Sequence, residues 1–171
     1  PVRALPYHYE CSRIVQARAR ELFDHADDHA RLSSHMSQSA PGMAGGRMTI
    51  EVDAGRGQAI GSRIRLSGRA FGIRLFVEEV VMERSPPHRK VWETVGQPRL
   101  LVIGHYRMGY DIAPQSDGSQ FRVFIDYALP DAIPARWFGR MIGGVYARWC
   151  TRRMVNDAVA HFVSEAKPAA A

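Results

Sequence analysis

One segment restricts what this chain can fold into. From Pro134 to Ala166 the sequence holds no proline after its first position, and it reads as helix throughout. Pro134 suits a first helical turn, where its fixed backbone angle helps and its missing N–H would have had no partner. At about 1.5 Å per residue such a helix is roughly 50 Å long, enough to cross a domain. Phe138, Met141, Ile142, Val145 and Trp149 recur at three- and four-residue steps, and Val155, Ala158, Val159 and Phe162 resume that spacing. The spacing predicts that these residues form a buried face, leaving Arg136, Arg140, Arg148, Arg152 and Arg153 on a wet one. Gly143 and Gly144 interrupt the pattern, each costing about 1 kcal/mol relative to alanine in a helix interior. Such positions are expected where a helix approaches another backbone or bends. The rest of the chain must supply the surface on which this helix lies.

The 171 residues fit a single domain spanning 1–171, with 167–171 expected as a disordered tail. At this size folding hides roughly 70% of the extended chain's surface, so a core with an internal pocket is feasible. The formal net charge is +6, and 21 of the 23 basic residues are arginine, in no like-charge run longer than two. The aromatic-plus-basic signature of an RNA-reading motif is absent, so no nucleic-acid partner is expected. Cys11 and Cys150 are too few and too far apart for a disulfide framework or a metal knuckle, and packed thiols are expected. The first ten residues carry no apolar leader core and no 18-residue apolar run occurs, which gives the cytoplasm as the expected compartment.

Tyr7 to Val15 reads as a first strand, Arg18 to His25 as a short helix, and Asp27 or Asp28 as the cap of a second short helix ending near His35. Ser37 to Arg47 is small, polar and glycine-rich, and reads as a loop. The period then becomes two. Met48–Val52, Arg63–Phe71, Ile73–Arg84, Val91–Val95, Leu100–Ile112 and Phe121–Leu129 read as strands joined by turns. The pattern predicts an α+β domain in which seven strands form an antiparallel sheet, with two short helices after the first strand and the long helix last. Val102, Tyr106, Met108, Tyr110 and Ile112 share one side of their strand, and Phe121, Val123, Ile125, Tyr127 and Leu129 one side of the next, giving an aromatic-rich inner face.

This order of elements resembles the helix-grip fold of the START-like (SRPBCC) superfamily, which includes the birch-pollen allergen, polyketide cyclases and lipid-transfer domains. The phrases Arg20-Glu21-Leu22-Phe23-Asp24 with Asp28-His29, Ile60-Gly61-Ser62-Arg63 and Glu83-Arg84-Ser85-Pro86-Pro87-His88-Arg89 are similar to the bacterial branch. The resemblance implies a curved sheet wrapped round the last helix, with an apolar cavity between them for a hydrophobic small molecule. On that picture Phe76, Trp92, Tyr106, Met108, Tyr110, Phe121 and Tyr127 line the cavity from the sheet, and Met141, Gly144 and Val145 from the helix. Read without it, the same residues are equally a filled core.

Chemistry-bearing constellations are sparse. His25, Asp27, Asp28, His29 and His35 have zinc-compatible side chains but no HExxH spacing, and capping accounts for the aspartates, so no metal is expected. Gly55-Arg56-Gly57 and Gly61 precede a strand rather than a helix, which excludes a dinucleotide loop, and no cofactor is expected. Glu78 shares parity with Phe76, Val80 and Met82; on the inner face its pKa would be raised and it would serve as a general acid, whereas a one-residue parity shift would leave it outside. Tyr106 is the other catalytic candidate. Three functions are therefore open: a binding module for a lipid, polyketide or similar molecule, an aromatase/cyclase- or dehydrase-like enzyme, and an assembly factor whose arginine-bearing helix face meets an acidic protein or an anionic membrane.

Overall fold

The computed structural model describes residues 3–32 and 48–166. The loop expected at Ser37–Arg47, the end of the second helix near His35 and the tail 167–171 lie outside the described residues. The chain runs β1 (Tyr7–Val15), α1 (Ala19–Asp27), α2 (His29–Leu32), β2 (Met48–Val52), β3 (Arg63–Ala70), β4 (Ile73–Ser85), β5 (Arg89–Arg99), β6 (Tyr106–Gln115), β7 (Gly118–Tyr127) and α3 (Ile133–Ala166). The seven strands form one sheet in the order β1-β7-β6-β5-β4-β3-β2, every pair antiparallel. The α+β architecture and the count of strands are those the sequence predicts. The largest boundary differences are at β6, which starts at Tyr106 because residues 100–105 are not strand and runs on to Gln115, at β5, which spans Arg89–Arg99, and at β7, which spans Gly118–Tyr127.

The short helices are fixed by their capping groups. Glu21 accepts from the Arg18 backbone N–H at 3.1 Å, and Asp28 accepts from the Arg31 N–H at 3.2 Å at the start of α2. Asp27 does something else. It is buried, its carboxylate takes three hydrogen bonds from Arg84 at 2.7–3.2 Å, and the buried Lys90 ammonium lies 2.9 Å from both its Oδ1 and its backbone oxygen. This cluster fastens the C-terminal end of α1 to β4 and β5.

The orientation of α3 corrects the sequence reading in its first half. Val155 and Ala158 are buried as expected, but Phe138, Met141 and Val145 are 45%, 63% and 68% exposed. The inward row is instead Gly139, Gly143, Ala147, Cys150, Thr151 and Met154. The reason is distance. A Cβ at Gly139 would sit 2.6 Å from the Val102 carbonyl oxygen, so only small residues fit where the helix presses on the 102–104 segment, and the large ones turn outward. Gly144 is exposed, and a Cβ there would meet only the Tyr127 hydroxyl at 3.7 Å. Opposite outcomes follow for the two glycines. Gly144→Ala is expected to stabilise the protein by about 0.5–1 kcal/mol through a less flexible unfolded chain, and Gly139→Ala to destabilise it by roughly 1–3 kcal/mol through overpacking. Urea denaturation of both variants checks this; a shift of the same sign in both would show that α3 is not seated as described.

Candidate functional site

The inner face of the sheet is set by alternation on β3 to β7. On β3, Ile64 and Leu66 are buried and Arg63 and Arg65 exposed. Leu66 pairs with Val77 and Arg65 with Glu78, so on β4 the inward row is Leu75, Val77, Glu79 and Val81. Glu78 therefore lies on the outer face, hydrogen-bonded to Arg63 and, at 3.2 Å, to Arg65. These bonds hold its carboxyl below the usual range, the reverse of a buried general acid. Phe76 points outward with it and is 36% exposed.

The inward carboxylate is Glu79, 4% exposed. Its Oε1 accepts from the Tyr106 hydroxyl, and its Oε2 lies 2.9 Å from Nε2 of His29, which is fully buried at the start of α2. An ionised Glu79 only accepts, which puts a hydrogen on Nε2. His29 Nδ1 is then buried without a hydrogen-bond partner among the described residues. The His29 ring stands edge-on to Trp92 at 5.0 Å, and Gly57, at φ 71°, lies over it so closely that a Cβ would come within 2.9 Å of the His29 Cβ. The hairpin tip is tied down there by Asp53, which accepts from Ser62 Oγ and from the Gly55 and Arg63 backbone N–H groups.

Glu79 and Tyr106 open onto a cavity of about 30 Å³, otherwise lined by Leu66, Trp92, Leu100, Ile103, Met108, Ile125, Tyr146, Cys150 and Met154. That volume holds about two water molecules. Burial raises the Tyr106 and Tyr146 phenols well above their ordinary range, with the neighbouring Glu79 adding to the effect at Tyr106, so both stay protonated donors. Cys150, hydrogen-bonded by Tyr146, is pushed up to about 12 by burial and is not a thiolate nucleophile at neutral pH.

Of the residues expected to line a cavity, Trp92, Tyr106 and Met108 do so. Tyr110 and Phe121 are core: Tyr110 packs edge-on against Phe23 at 5.8 Å, Trp92 at 6.3 Å and Phe121 at 5.5 Å. Tyr127 stacks on Tyr7 at 5.3 Å on the β1 side. Phe76, Met141, Gly144 and Val145 face away from it. The helix contributes Tyr146, Cys150 and Met154 in their place. Of the histidine and aspartate cluster, His35 lies outside the described residues and His25 stacks on His161 at 4.0 Å; among the described residues no group of three or more His, Cys, Asp or Glu is placed to hold a metal ion.

No family model matches the sequence, and no curated protein matches it as a relative. Solved structures do. The di-domain ARO/CYC protein BexL, from the BE-7585A biosynthetic pathway, superposes with a TM-score of 0.67 at 17% identity, over 96% of this chain and 52% of that one. Ara h 8.0201 gives 0.57 at 11% identity over 90% and 98% of the two chains. The fold is the helix grip. Protein CV1439 from Chromobacterium violaceum, at a TM-score of 0.59 and 18% identity over 92% and 98%, shares it. In this helix grip a cavity lies between the sheet and α3, with Glu79 and Tyr106 at its polar end and His29 bonded to Glu79 outside its lining. Among the described residues, no helix is long and apolar enough to cross a membrane.

Proposed function

We propose that the protein binds a hydrophobic small molecule between sheet and helix, with a polar group of that molecule meeting Glu79 and Tyr106. One observation carries this reading: a carboxylate and a phenol, with an imidazole bonded behind the carboxylate, meet at a cavity whose other lining residues are mainly apolar. Desolvating such a group is costly, and well-packed apolar residues would hold the same elements together at least as firmly. A site that recognises a hydroxyl or carbonyl on an apolar molecule needs such groups. The cavity of about 30 Å³ must widen to admit that molecule. Met108 and Met154 line it, and their unbranched side chains repack readily.

The Tyr106–Glu79 bond favours a second reading, in which the same site does cyclase-like chemistry: the phenol donates to a carbonyl oxygen while the carboxylate takes a proton from the adjacent carbon. BexL is an ARO/CYC protein of this fold, which makes a polyketide-like carbonyl compound the class to try first. Native mass spectrometry of protein purified from its own host is expected to show one copurifying apolar molecule per chain, and an apolar fluorophore to bind competitively with it. Absence of both would defeat the binding reading. Tyr106→Phe separates the two readings: fluorophore binding should persist, while turnover of a carbonyl substrate should fall by about 10²-fold or more if the phenol takes part.

A further inference from the structure

The first half of α3 presents a face that nothing in the described chain covers. Trp137, Met141 and Val145, at four-residue spacing, are 68%, 63% and 68% exposed; Ile133 is 83% exposed and Phe138 45%. Single exposed apolar residues are ordinary, but five on successive turns of one helix make a continuous strip about 18 Å long. Basic residues border it. Arg136 and Arg140 lie along one edge, and Arg148 and Arg152 continue the row one and two turns beyond Val145, all exposed. No Asp or Glu occurs between Asp131 and Asp157. Among the described residues Arg136, Arg140 and Arg152 have no carboxylate partner, and Arg148 rests over the Tyr9 ring at 5.3 Å.

We infer that this face of α3 docks on an anionic lipid surface, with Trp137, Phe138, Met141 and Val145 entering the headgroup boundary and the arginines meeting lipid phosphates. A helix lying in a membrane interface needs that combination: a tryptophan-bearing apolar side, arginines beside it and no carboxylates to be repelled. The net charge of +6 adds long-range attraction in the same direction. A second copy of the chain is the poorer occupant, because an isologous contact would bring the unpaired arginines of both copies together. The inference is independent of what the cavity holds.

Flotation with vesicles tests it. The protein should bind phosphatidylcholine vesicles containing phosphatidylglycerol and bind pure phosphatidylcholine much more weakly. Raising the salt should weaken binding, and each of Arg140→Glu and Arg152→Glu should lower it by roughly fivefold or more. The double variant Trp137→Ser/Met141→Ser should lower it by at least about tenfold, since both side chains would lose their burial in lipid. These positions are exposed, so the variants should melt like the wild type, which confirms that the loss is not unfolding. Any of these results would overturn the inference: no binding to anionic vesicles, equal binding to neutral ones, binding unchanged in the double variant, or Trp137 shielded from a neutral quencher in lipid-free protein, read by comparison with Trp137→Phe. A concentration-dependent dimer abolished by Trp137→Ser would overturn it in favour of the second copy.

Discussion

Asp27→Ala is expected to cost about 3–5 kcal/mol, a large part of the 5–15 kcal/mol that roughly bounds the stability of such a domain. Lys90 is fully buried, and the Asp27 side chain and backbone oxygen are both 2.9 Å from its ammonium. Burial already lowers the Lys90 pKa, and Asp27 is what opposes that shift. Without Asp27 the chain must bury an unpaired ammonium or neutralise it. Lys90→Met should cost less, because Asp27 keeps its bonds from Arg84. The pH dependence has a definite sign. Burial alone would raise the Asp27 pKa, but the hydrogen bonds from Arg84 and Lys90 outweigh it and the carboxyl lies below its ordinary 3.8. A depressed acidic group contributes stability that is complete above its unfolded value and is lost as pH falls through its folded one. Wild type should therefore lose stability below about pH 4, and Asp27→Asn, weaker throughout, should show a shallower decline there. Denaturation series across that window measure both; an Asp27→Ala loss under 1 kcal/mol would mean that the cluster is hydrated and carries little of the fold.

How far the site was legible depends on how one-sided each strand is. On β6 and β7 every second residue is apolar and the alternate ones are mixed, so the inner face follows from parity, and Tyr106 and Met108 of β6 lie on the cavity side. On β4 parity decides nothing. Leu75, Val77, Glu79 and Val81 alternate with Phe76, Glu78, Val80 and Met82, three apolar residues and one glutamate on each side. The tie is broken only across the strand pair, where Arg65 faces Glu78 and the alternation of β3 leaves no doubt which side is wet. That signal was available in the sequence once a hairpin had been assigned.

The long helix misled for a different reason. Its large apolar residues have helical spacing, and spacing is evidence of burial only when water is the alternative to the core. A lipid or a protein surface satisfies the same pattern from outside. The competing signal was Gly139, Gly143, Ala147 and Thr151, also at four-residue spacing, which marks the side where a neighbouring backbone comes close. The sequence singles out His29 but not its place beside Glu79, because α2 is too short for periodicity to say which of its residues faces the sheet.

Glu79 should separate stability from function more sharply than any other residue of the cavity. Glu79→Leu alone is expected to cost about 2–5 kcal/mol, because the Tyr106 hydroxyl and His29 Nε2 would each lose a buried partner at roughly 1–3 kcal/mol apiece, less the desolvation no longer paid by the carboxylate. Glu79→Gln keeps an acceptor for one of them and should cost far less. The decisive variant removes the whole network. His29→Leu/Glu79→Leu/Tyr106→Phe leaves no unpaired polar group, and replacing buried charged networks with apolar residues of similar volume is often neutral or stabilising by about 1–4 kcal/mol. The triple variant should therefore melt within a few degrees of the wild type, or above it, while losing the copurifying molecule and at least about 10²-fold in affinity for it, the worth of two hydrogen bonds, one of them to a charged group. A network kept only to fasten α2 to the sheet gives the opposite pair of results: reduced stability in the triple variant and unchanged retention of any bound molecule. Thermal melts and native mass spectrometry on the same four proteins read both quantities, and a triple variant that binds as wild type would remove Glu79, Tyr106 and His29 from the site.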